Sequence, residues 1–361
     1  MKIRIAQNPS GGIALIIVMI VIIVLGILAG GFAYSMRVET TLARRADSEP
    51  DLEWLGRSGV EMARYILAQQ MTVPNEPYDS LNQKWAGGPG SIYSMTNEVL
   101  SRISLENNEL GKGHFSIKIF DQERKFNINV ASENILQQAL LLVGIDPASS
   151  STIVDSILDW RDPDDDPHLN GTESDHYLRL DPPYVAKNAP IDDLSELLLV
   201  QGITPEIYWG SRGADVGVSR LQTVSPALPL NRELPSHQVG LADLFTSISG
   251  RLINANTASA WVLQLVPGID ENIATTIIRE RSGPDGVDGT EDDIPFRSPQ
   301  EIPMPGAGPQ SAARLNSVFT VRSATFLVEV DAEVGQNRKQ FIALLRRNGA
   351  KDIQMLYMHT K

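Results

Sequence analysis

The chain has 361 residues, of which 42% are hydrophobic, and it carries a formal net charge of −13 with no cysteine. The acidic balance argues against a nucleic-acid partner, because Lys and Arg that neutralise phosphates supply most of that affinity. The lack of cysteine excludes disulfides, thiolate zinc sites and cysteine nucleophiles.

The first predicted element is an uncharged apolar run from Ile13 to Tyr34. As a helix this run would be roughly 33 Å long, enough to cross the hydrocarbon core of a bilayer. We therefore predict a membrane anchor over residues 13–34, with cleavage as an ordinary secretory signal at "ILAGGFA" as the alternative. Basic residues flank the run on both sides and do not decide its orientation. We expect the large C-terminal part to lie outside the cytoplasm.

Residues 35–70 are predicted to continue the helix beyond the anchor. One helical face carries small and apolar side chains at steps of three or four, namely Leu52, Leu55, Gly59, Met62, Ala63 and Ile66. Pro50 is expected to kink or restart this helix. Residues 71–131 begin with Pro-, Gly- and Asn-rich sequence and end with alternating residues on both sides of Asp121-Gln122-Glu123, which predicts a hairpin.

The C-terminal residues 317–361 also have the alternation of strands. "TFLVEVDAEV", "KQFIALLRR" and "IQMLYM" are separated by turn sequences at Gly335-Gln336-Asn337 and Asn348-Gly349. Predicted strands therefore lie on both sides of the long middle part of the chain. This arrangement predicts one sheet interrupted by a helical insertion over residues 132–316.

The middle of the chain repeats itself. "NINVASENILQQALLLVGIDPASSSTIVDSILDWRDPDDD" is similar to "LINANTASAWVLQLVPGIDENIATTIIRERSGPDGVDGTEDD", and a Gly-Ile turn also occurs in "DDLSELLLVQGITPEIYWG". These helix–Gly-Ile–helix units resemble helix-hairpin-helix modules, which bind DNA phosphate on backbone N–H groups. The usual third glycine is replaced here by Asp146, Thr204 or Asp270, so a packing motif is favoured over a DNA-binding one. A membrane-anchored DNA-binding or uptake protein is kept as the alternative function.

Two acidic loops are the candidate metal sites. The first acidic loop, residues 159–177, contains Asp159, Asp162, Asp164, Asp165, Asp166, Glu173 and Asp175; the second acidic loop, residues 283–295, contains Asp285, Asp288, Glu291, Asp292 and Asp293. Calcium prefers six to eight oxygen ligands on a flexible loop, although neither loop has EF-hand spacing. The residues alone leave calcium sites and solvated turns open. The recurrence of an acidic loop in both repeat units favours calcium. The candidate ligands are Asp159, Asp162, Asp164, Asp166, Glu173, Asp175, Asp285, Asp288, Asp292 and Asp293.

Catalytic motifs are absent from the sequence. The five histidines are scattered without ligand spacing, and no G-x-S-x-G, H-E-x-x-H or phosphate-loop pattern occurs. We therefore predict that the protein is not an enzyme.

The first twelve residues form a short basic leader that ends in Gly12 and is followed at once by the apolar run. This arrangement resembles the leader of type IV pilins and type II secretion pseudopilins, which a prepilin peptidase cuts. The resemblance places the cut between Gly12 and Ile13. Position five of the mature chain would be Ile17, where most pilin-like subunits carry Glu.

Nearly the full length resembles one branch of pseudopilins, the K component (large minor pseudopilin) of type II secretion. The matching stretches are "LGRSGVEMARYIL", "DQERKFNINVA", "ILDWRDPDDDP…NGTESDHY" and "PPYVAKNAPIDDLSELLLVQGITPE", together with the terminal strands.

The resemblance implies an α+β pseudopilin fold, in which a long N-terminal helix packs on an antiparallel sheet with a large all-helical domain inserted between strands. It also implies calcium in the inserted domain, the I and J minor pseudopilins as partners, and contact with prepilin peptidase and an inner-membrane assembly platform. The expected location is the inner membrane as a single-pass protein, with the C-terminal domain in the periplasm. The expected role is a tip subunit that initiates pseudopilus assembly for protein export across the outer membrane.

Overall fold

The computed structural model describes residues 11–91, 97–210, 239–304 and 311–361. Its first element is a single helix, α1 (Gly11–Gln70). The most apolar 18-residue window of α1 has a mean hydropathy of 3.1 and none of it is buried, so α1 is long and apolar enough to cross a membrane. Pro50 lies inside α1, and the helix does not restart there. Residues 1–10 of the predicted leader lie outside the described residues, while Gly12 and Ile13 fall in the first turn of α1.

An antiparallel sheet packs against α1. Its strands are β1 Asn108–Leu110, β2 Gly113–Asp121, β7 Thr325–Val334, β8 Asn337–Gly349 and β9 Asp352–Thr360, and they lie side by side in the order β1-β2-β7-β8-β9. The three C-terminal strands have the order and the turns that their alternation predicts. The fold class is therefore the predicted α+β arrangement.

The contact between α1 and the sheet depends on two glycines. A Cβ built on Gly56 would collide with the ring of Phe341, and one built on Gly59 would lie 2.9 Å from Cγ2 of Val330 and closer still to its Cγ1. Both glycines are on the buried face of α1, together with Leu52, Leu55, Val60, Ala63, Ile66 and Leu67. The "LGRSGVEMARYIL" stretch thus lets the helix backbone approach the sheet directly.

The sheet has a defined polarity relative to the apolar run of α1. Near that run, Asn337 at the start of β8 donates from Nδ2 to Oγ of Ser48, 2.8 Å away. One strand length further from the run, Arg64 donates from Nη2 to the carbonyl of Ile353 at the start of β9, also at 2.8 Å. The sheet end that carries the β8–β9 turn is therefore the end farther from the membrane-spanning part of α1.

The inserted part of the chain leaves the sheet at this far end. It begins after Asp121, the last residue of β2, and returns before Thr325, the first residue of β7. Because β2 and β7 are neighbours and Asp121 is paired with Phe326, the two ends of the insert meet at one point.

The predicted hairpin around Asp121-Gln122-Glu123 is wrong. Beyond this turn, β3 (Phe126–Asn127) does not pair with β2 but forms a parallel pair with β4 (Phe245–Thr246). The hairpin within residues 71–131 lies earlier, where β1 and β2 are joined through Gly111 and Lys112. Local alternation found β2 correctly, whereas the partner of β3 lies far along the chain.

Helices make up most of the regular secondary structure of the insert. Its helices are α3 Glu133–Val143, α4 Pro147–Arg161, α5 Ser174–Tyr177, α6 Pro205–Trp209, α7 Leu241–Leu244, α8 Ala260–Leu263, α9 Glu271–Arg281 and α10 Ser311–Val318, and α2 (Glu98–Arg102) precedes it. Beside the helices, β5 (Ile253–Asn254) and β6 (Phe319–Thr320) form a second short parallel pair. The hydrophobic core of the insert contains buried residues between Phe126 and Val321 together with Tyr78, and it is a separate cluster from the core beneath α1.

The repeat seen in the sequence is an internal duplication of structure. In the first unit the Oδ1 atom of Asn127 accepts the N–H of Asn129 at 2.9 Å, and in the second Asn254 accepts the N–H of Asn256 at 3.0 Å. Asn129 then exchanges two hydrogen bonds with the backbone of Ile191, and Asn256 does the same with Phe296. The two units therefore use the same side chains to close the same turn.

The helix ends of the two units are also held alike. Arg161, the last residue of α4, donates to the carbonyls of Ile128 and Ala131 at 2.5 and 2.6 Å. Arg281, the last residue of α9, donates to the carbonyls of Ala255 and Ala258 at 2.7 and 2.8 Å. Each arginine is followed by an acidic loop, so the two acidic loops occupy equivalent positions.

A buried polar joint connects the insert to the sheet. Oδ2 of Asp121 accepts hydrogen bonds from Thr257 Oγ1 at 2.6 Å, Ser323 Oγ at 2.7 Å and Asn254 Nδ2 at 3.1 Å. Oδ2 of Asp79 accepts the N–H of Ser323 at 2.9 Å. All five side chains are buried, and burial, with Glu123 nearby, raises the pKa of Asp121 to about 7.

Arg347 completes the joint from β8. Its guanidinium is buried, pairs with the carboxylate of Asp79 and donates to the carbonyl of Ser323 at 2.7 Å. It also lies 4.7 Å from the ring centroid of Phe326. The joint thus ties the segment after α1, the end of β2, the second repeat unit and β8 together.

Replacing Gly59 by Ala should destabilise the domain, because Val330 is branched and cannot move aside. We expect the free energy of unfolding to fall by about 1–2 kcal/mol, overpacking being offset in part by the better helix propensity of Ala. Urea unfolding of the detergent-solubilised chain measures this change. Gly349→Ala is the control, since no atom lies within 4 Å of its Cβ position. Equal effects of the two substitutions would contradict the close helix–sheet contact.

Candidate metal centre

The first acidic loop begins in the last turn of α4 and ends at α5. Asp159 lies on the buried side of α4 and Asp162 is the residue that ends this helix. The loop then turns back, so that the backbone N–H groups of His168 and Thr172 donate to the carboxylate of Asp159 at 3.0 and 2.6 Å. Gly171 is needed for this turn, because a Cβ at that position would overlap the Asp159 carboxylate.

Three candidate ligands come together in this loop. One ligand atom each from Asp159, Asp162 and His168 lies within 4.8 Å of the others. Nδ1 of His168 is in hydrogen-bond contact with Oδ1 of Asp159 and 3.9 Å from Oδ2 of Asp162. Sequence analysis treated His168 as one of several scattered histidines, and nothing in its spacing indicated this contact.

Four oxygen atoms in or beside the loop are buried without a hydrogen-bond donor. They are Oδ1 of Asp162, both carboxylate oxygens of Glu173 and Oδ1 of Asn188. Glu173 is only 6% exposed. Buried carboxylates without partners are costly, and a bound cation would remove this cost. The oxygen-only chemistry of this set fits calcium.

Asn188 was missed by sequence analysis. Its backbone is left-handed, with φ of 48°, a conformation that Asn tolerates better than most residues. Its Nδ2 donates to the carbonyl of Asp164 at 2.7 Å and to Oδ1 of Asp165 at 2.9 Å, which turns its Oδ1 away from these groups. A single Asn far from the acidic run carries no spacing signal, although it lies in the quoted stretch "PPYVAKNAP".

Burial and the neighbouring charges shift the pKa values of several side chains in the first acidic loop. Burial raises the pKa of Glu173 to about 7, and repulsion from Asp159 and Asp162 adds to the effect. Burial also raises the pKa of Asp162, with Asp164 and Asp159 as neighbouring negative charges. The hydrogen bond to Asp159 raises the pKa of His168. The loop therefore has an excess of negative charge that one imidazole does not balance.

The other acidic residues of the first acidic loop, among them the predicted ligands Asp164, Asp166 and Asp175, are less involved. Asp164 accepts the N–H of Asp166 at 3.1 Å, and Asp165 accepts the hydroxyl of Ser174 at 3.0 Å. Asp166 and Asp175 are exposed. The structure thus brings Asp159 and Asp162 together with His168, buries Glu173, and leaves Asp164, Asp166 and Asp175 at the surface.

The carboxylates of the second acidic loop have protein donors instead. Asp288 forms two hydrogen bonds with the buried Arg281, at 3.0 and 2.5 Å, and accepts the hydroxyl of Ser282 at 2.7 Å. Burial acts to raise the pKa of Asp288, but the bonds and charge of Arg281 outweigh burial and leave this pKa below its usual value. Arg281 therefore supplies the positive charge that the first acidic loop lacks.

The other predicted ligands of the second acidic loop, Asp285, Asp292 and Asp293, cap its turns. Asp285 accepts the N–H of Val287 at 2.7 Å, Asp292 accepts the N–H of Asp285 at 3.0 Å, and Asp293 accepts the N–H of Gly289 at 2.8 Å. These contacts are those of a well-formed turn. They leave the second acidic loop a weaker candidate for a metal than the first.

The three Gly-Ile turns share one geometry. Gly144, Gly202 and Gly268 all have positive φ, and Gly144 caps the helix before it. The next residue but one caps the following helix: Asp146 accepts the N–H of Ala148, Thr204 that of Ile207 and Asp270 that of Ile273. These side chains occupy the N–H groups that a DNA phosphate would need, so the geometry does not favour DNA binding.

Several known proteins that resemble this chain are components of type II secretion systems. A family model described as "Type II secretion system (T2SS), protein K" matches residues 108–210. Type II secretion system protein K of Klebsiella pneumoniae is 24% identical over 275 residues, covering 71% of this chain and 78% of that protein. The protein of the same name from Pseudomonas aeruginosa is 23% identical over 355 residues, covering 97% and 92% of the two chains.

The fold has also been solved in a relative. One chain of the GspK–GspI–GspJ complex from enterotoxigenic Escherichia coli superposes with a TM-score of 0.61 at 18% identity, over 88% of this chain and 99% of that chain. Family model, relatives and fold agree, and they identify a structural protein rather than an enzyme. The chain belongs to the type II secretion system protein K (GspK) family of minor pseudopilins.

Proposed function

We propose that this chain is the tip subunit of a type II secretion pseudopilus, where it initiates assembly and takes part in protein export across the outer membrane. The observation that carries the proposal is the position of the insert. It leaves the sheet at the end farthest from the apolar half of α1. A subunit stacked above this one would meet the insert instead of a free pilin-like surface, so the chain suits the first position only.

The apolar half of α1 supports the same position. Ile17 stands where most pilin-like subunits carry a Glu that pairs with the N-terminal amine of a neighbour. An unpaired carboxylate at membrane depth costs on the order of 2.5–3.5 kcal/mol on insertion scales. A tip subunit has no neighbour ahead of it to supply that amine, so an apolar residue is favoured.

As a tip subunit, the chain has a defined location and a defined set of partners. The leader is removed between Gly12 and Ile13 by prepilin peptidase, α1 anchors the mature chain in the inner membrane, and the sheet and insert lie in the periplasm. The partners are the minor pseudopilins of the I and J components and the inner-membrane assembly platform. The solved GspK–GspI–GspJ complex of the Escherichia coli relative supports this set of partners.

Substitution of Ile17 tests whether the chain is a tip subunit or a shaft subunit. Ile17→Glu should lower the amount of chain that co-purifies with the I and J components from detergent-solubilised membranes, because the new carboxylate lacks an amine to pair with. Ile17→Val is the control and should leave the yield unchanged. A rise in yield with Ile17→Glu would indicate a shaft position and contradict the proposal.

The proposal includes a calcium ion in the first acidic loop. Asp162, Glu173 and Asn188 would hold it, since each has a buried oxygen without a donor. When bound, the ion supplies the positive charge that Arg281 gives to the second acidic loop. Calcium would therefore brace the first repeat unit as the Arg281–Asp288 pair braces the second.

Calcium should raise the melting temperature of the full chain in detergent through mass action. Glu173→Gln should remove most of this gain, because it takes away a buried charged ligand. Asp175→Asn should keep the gain, since Asp175 is in the same loop but exposed. Melting temperatures measured with calcium and with chelator decide the matter, and identical values for the unsubstituted chain would rule the calcium ion out.

A further inference from the structure

The buried joint between the insert and the sheet holds more negative charge than its arginine balances. Asp79, Asp121 and Glu123 are 1%, 2% and 3% exposed, and the guanidinium of Arg347 pairs with Asp79. We propose that the joint is a proton-sensitive connection, in which a proton on Asp121 holds the insert firmly on the sheet and loss of that proton loosens it. This inference concerns how the insert is attached and is independent of the tip position and of calcium.

Asp121 and Glu123 are held side by side at the end of β2. The N–H of Glu123 donates to Oδ1 of Asp121 at 2.8 Å. The carboxylate of Glu123 in turn accepts the N–H of Gly250 in the insert and the N–H of Thr325 at the start of β7, each at 3.0 Å. Two like charges held this close inside the protein repel each other, and a proton on one of them relieves the repulsion.

The hydrogen bonds around Asp121 suit a neutral carboxyl group as well as a charged one. Thr257 Oγ1 and Ser323 Oγ lie 2.6 and 2.7 Å from Oδ2 of Asp121, and a hydroxyl group can accept as well as donate. A protonated Asp121 can donate to Thr257, whose own hydrogen can then turn toward the carbonyl of Asn254, 3.5 Å away. The joint therefore takes up a proton without breaking apart.

The cations on the elements packed around Asp121 are engaged elsewhere. They and their partners are Arg347 with Asp79, Arg281 with Asp288, Arg322 with the carbonyl of Glu76 and Lys125 with the carbonyl of Ala242. In the part of the chain that the structure describes, neither these side chains nor Arg124 donates to Asp121. Burial, with the charges of Glu123 and Asp79 adding to it, accordingly raises the pKa of Asp121 to about 7.

A rise in pH should therefore weaken the joint. When the joint opens, Asp121 meets water and regains its ordinary pKa of 3.8, whereas in the closed joint this pKa is about 7. Between these two pH values the closed joint holds a proton that the open joint lacks, so the equilibrium constant for opening rises about tenfold per pH unit. Above about pH 7 Asp121 is ionised in both forms and the dependence levels off.

Hydrogen exchange of the full chain in detergent, followed by mass spectrometry from pH 5 to pH 8, tests this inference. The reporters are the N–H groups of Gly250, Ser323 and Thr325, which donate to carboxylates of the joint. Their protection factors, which exclude the intrinsic pH dependence of exchange, should fall about tenfold from pH 5 to pH 6 and level off above pH 7. Asp121→Asn fixes a neutral side chain and should make the protection independent of pH. Asp331→Asn is the matched control and should retain the fall, since Asp331 is an exposed residue of β7.

Glu123→Gln is a second test that leaves Asp121 in place. It removes the neighbouring negative charge, so the pKa of Asp121 should drop and the protection should level off at a lower pH than in the unsubstituted chain. A fall that Asp121→Asn abolishes and Asp331→Asn retains supports the proton-sensitive joint. Protection that does not change with pH in the unsubstituted chain, an equal fall in Asp121→Asn, or an unshifted profile in Glu123→Gln would overturn it.

Discussion

The carboxylate of Asp121 accepts hydrogen bonds from Asn254, Thr257 and Ser323, and the arrangement of the whole molecule depends on this buried joint. It lies where β2 ends and β7 begins, so it fixes both ends of the insert at the far end of the sheet. Arg347 extends the joint into β8 through Asp79. Removing one member would leave buried charges without partners, so the network acts as a unit.

The two repeat units show how one architecture accommodates two electrostatic solutions. In both units the second helix ends in an arginine, which donates to a backbone carbonyl at the start of the unit. In the second unit Arg281 also pairs with Asp288, so its acidic loop is neutralised within the chain. In the first unit Arg161 donates to backbone carbonyls. The carboxylate of Glu173 is buried there without a hydrogen-bond donor. The calcium ion that we propose for the first unit would thus have the role that the buried Arg281 has in the second.

Sequence periodicity was sufficient where the interactions are local. The buried face of α1 and the alternation of β7 follow from helical and strand spacing, and the Asp146 and Asp270 caps fall where their Gly-Ile turns indicate. The predicted hairpin failed because the partner of Phe126 is Phe245, a tertiary pairing that no local pattern contains. Likewise the acidic run indicated a metal site, but Asn188 and the His168 contact arise only when the loop folds back on α4. The membrane anchor and the fold class were thus predictable, whereas the composition of the site was not.

Labelling of assembled pseudopili tests the central claim most directly, namely that the insert occupies the free end of the filament. The chain has no cysteine, and Leu169 in the first acidic loop is 97% exposed, so Leu169→Cys provides a single accessible thiol for a gold label. The proposed position predicts gold at one end of each filament and none along its length. Gold particles distributed along the shaft would contradict it.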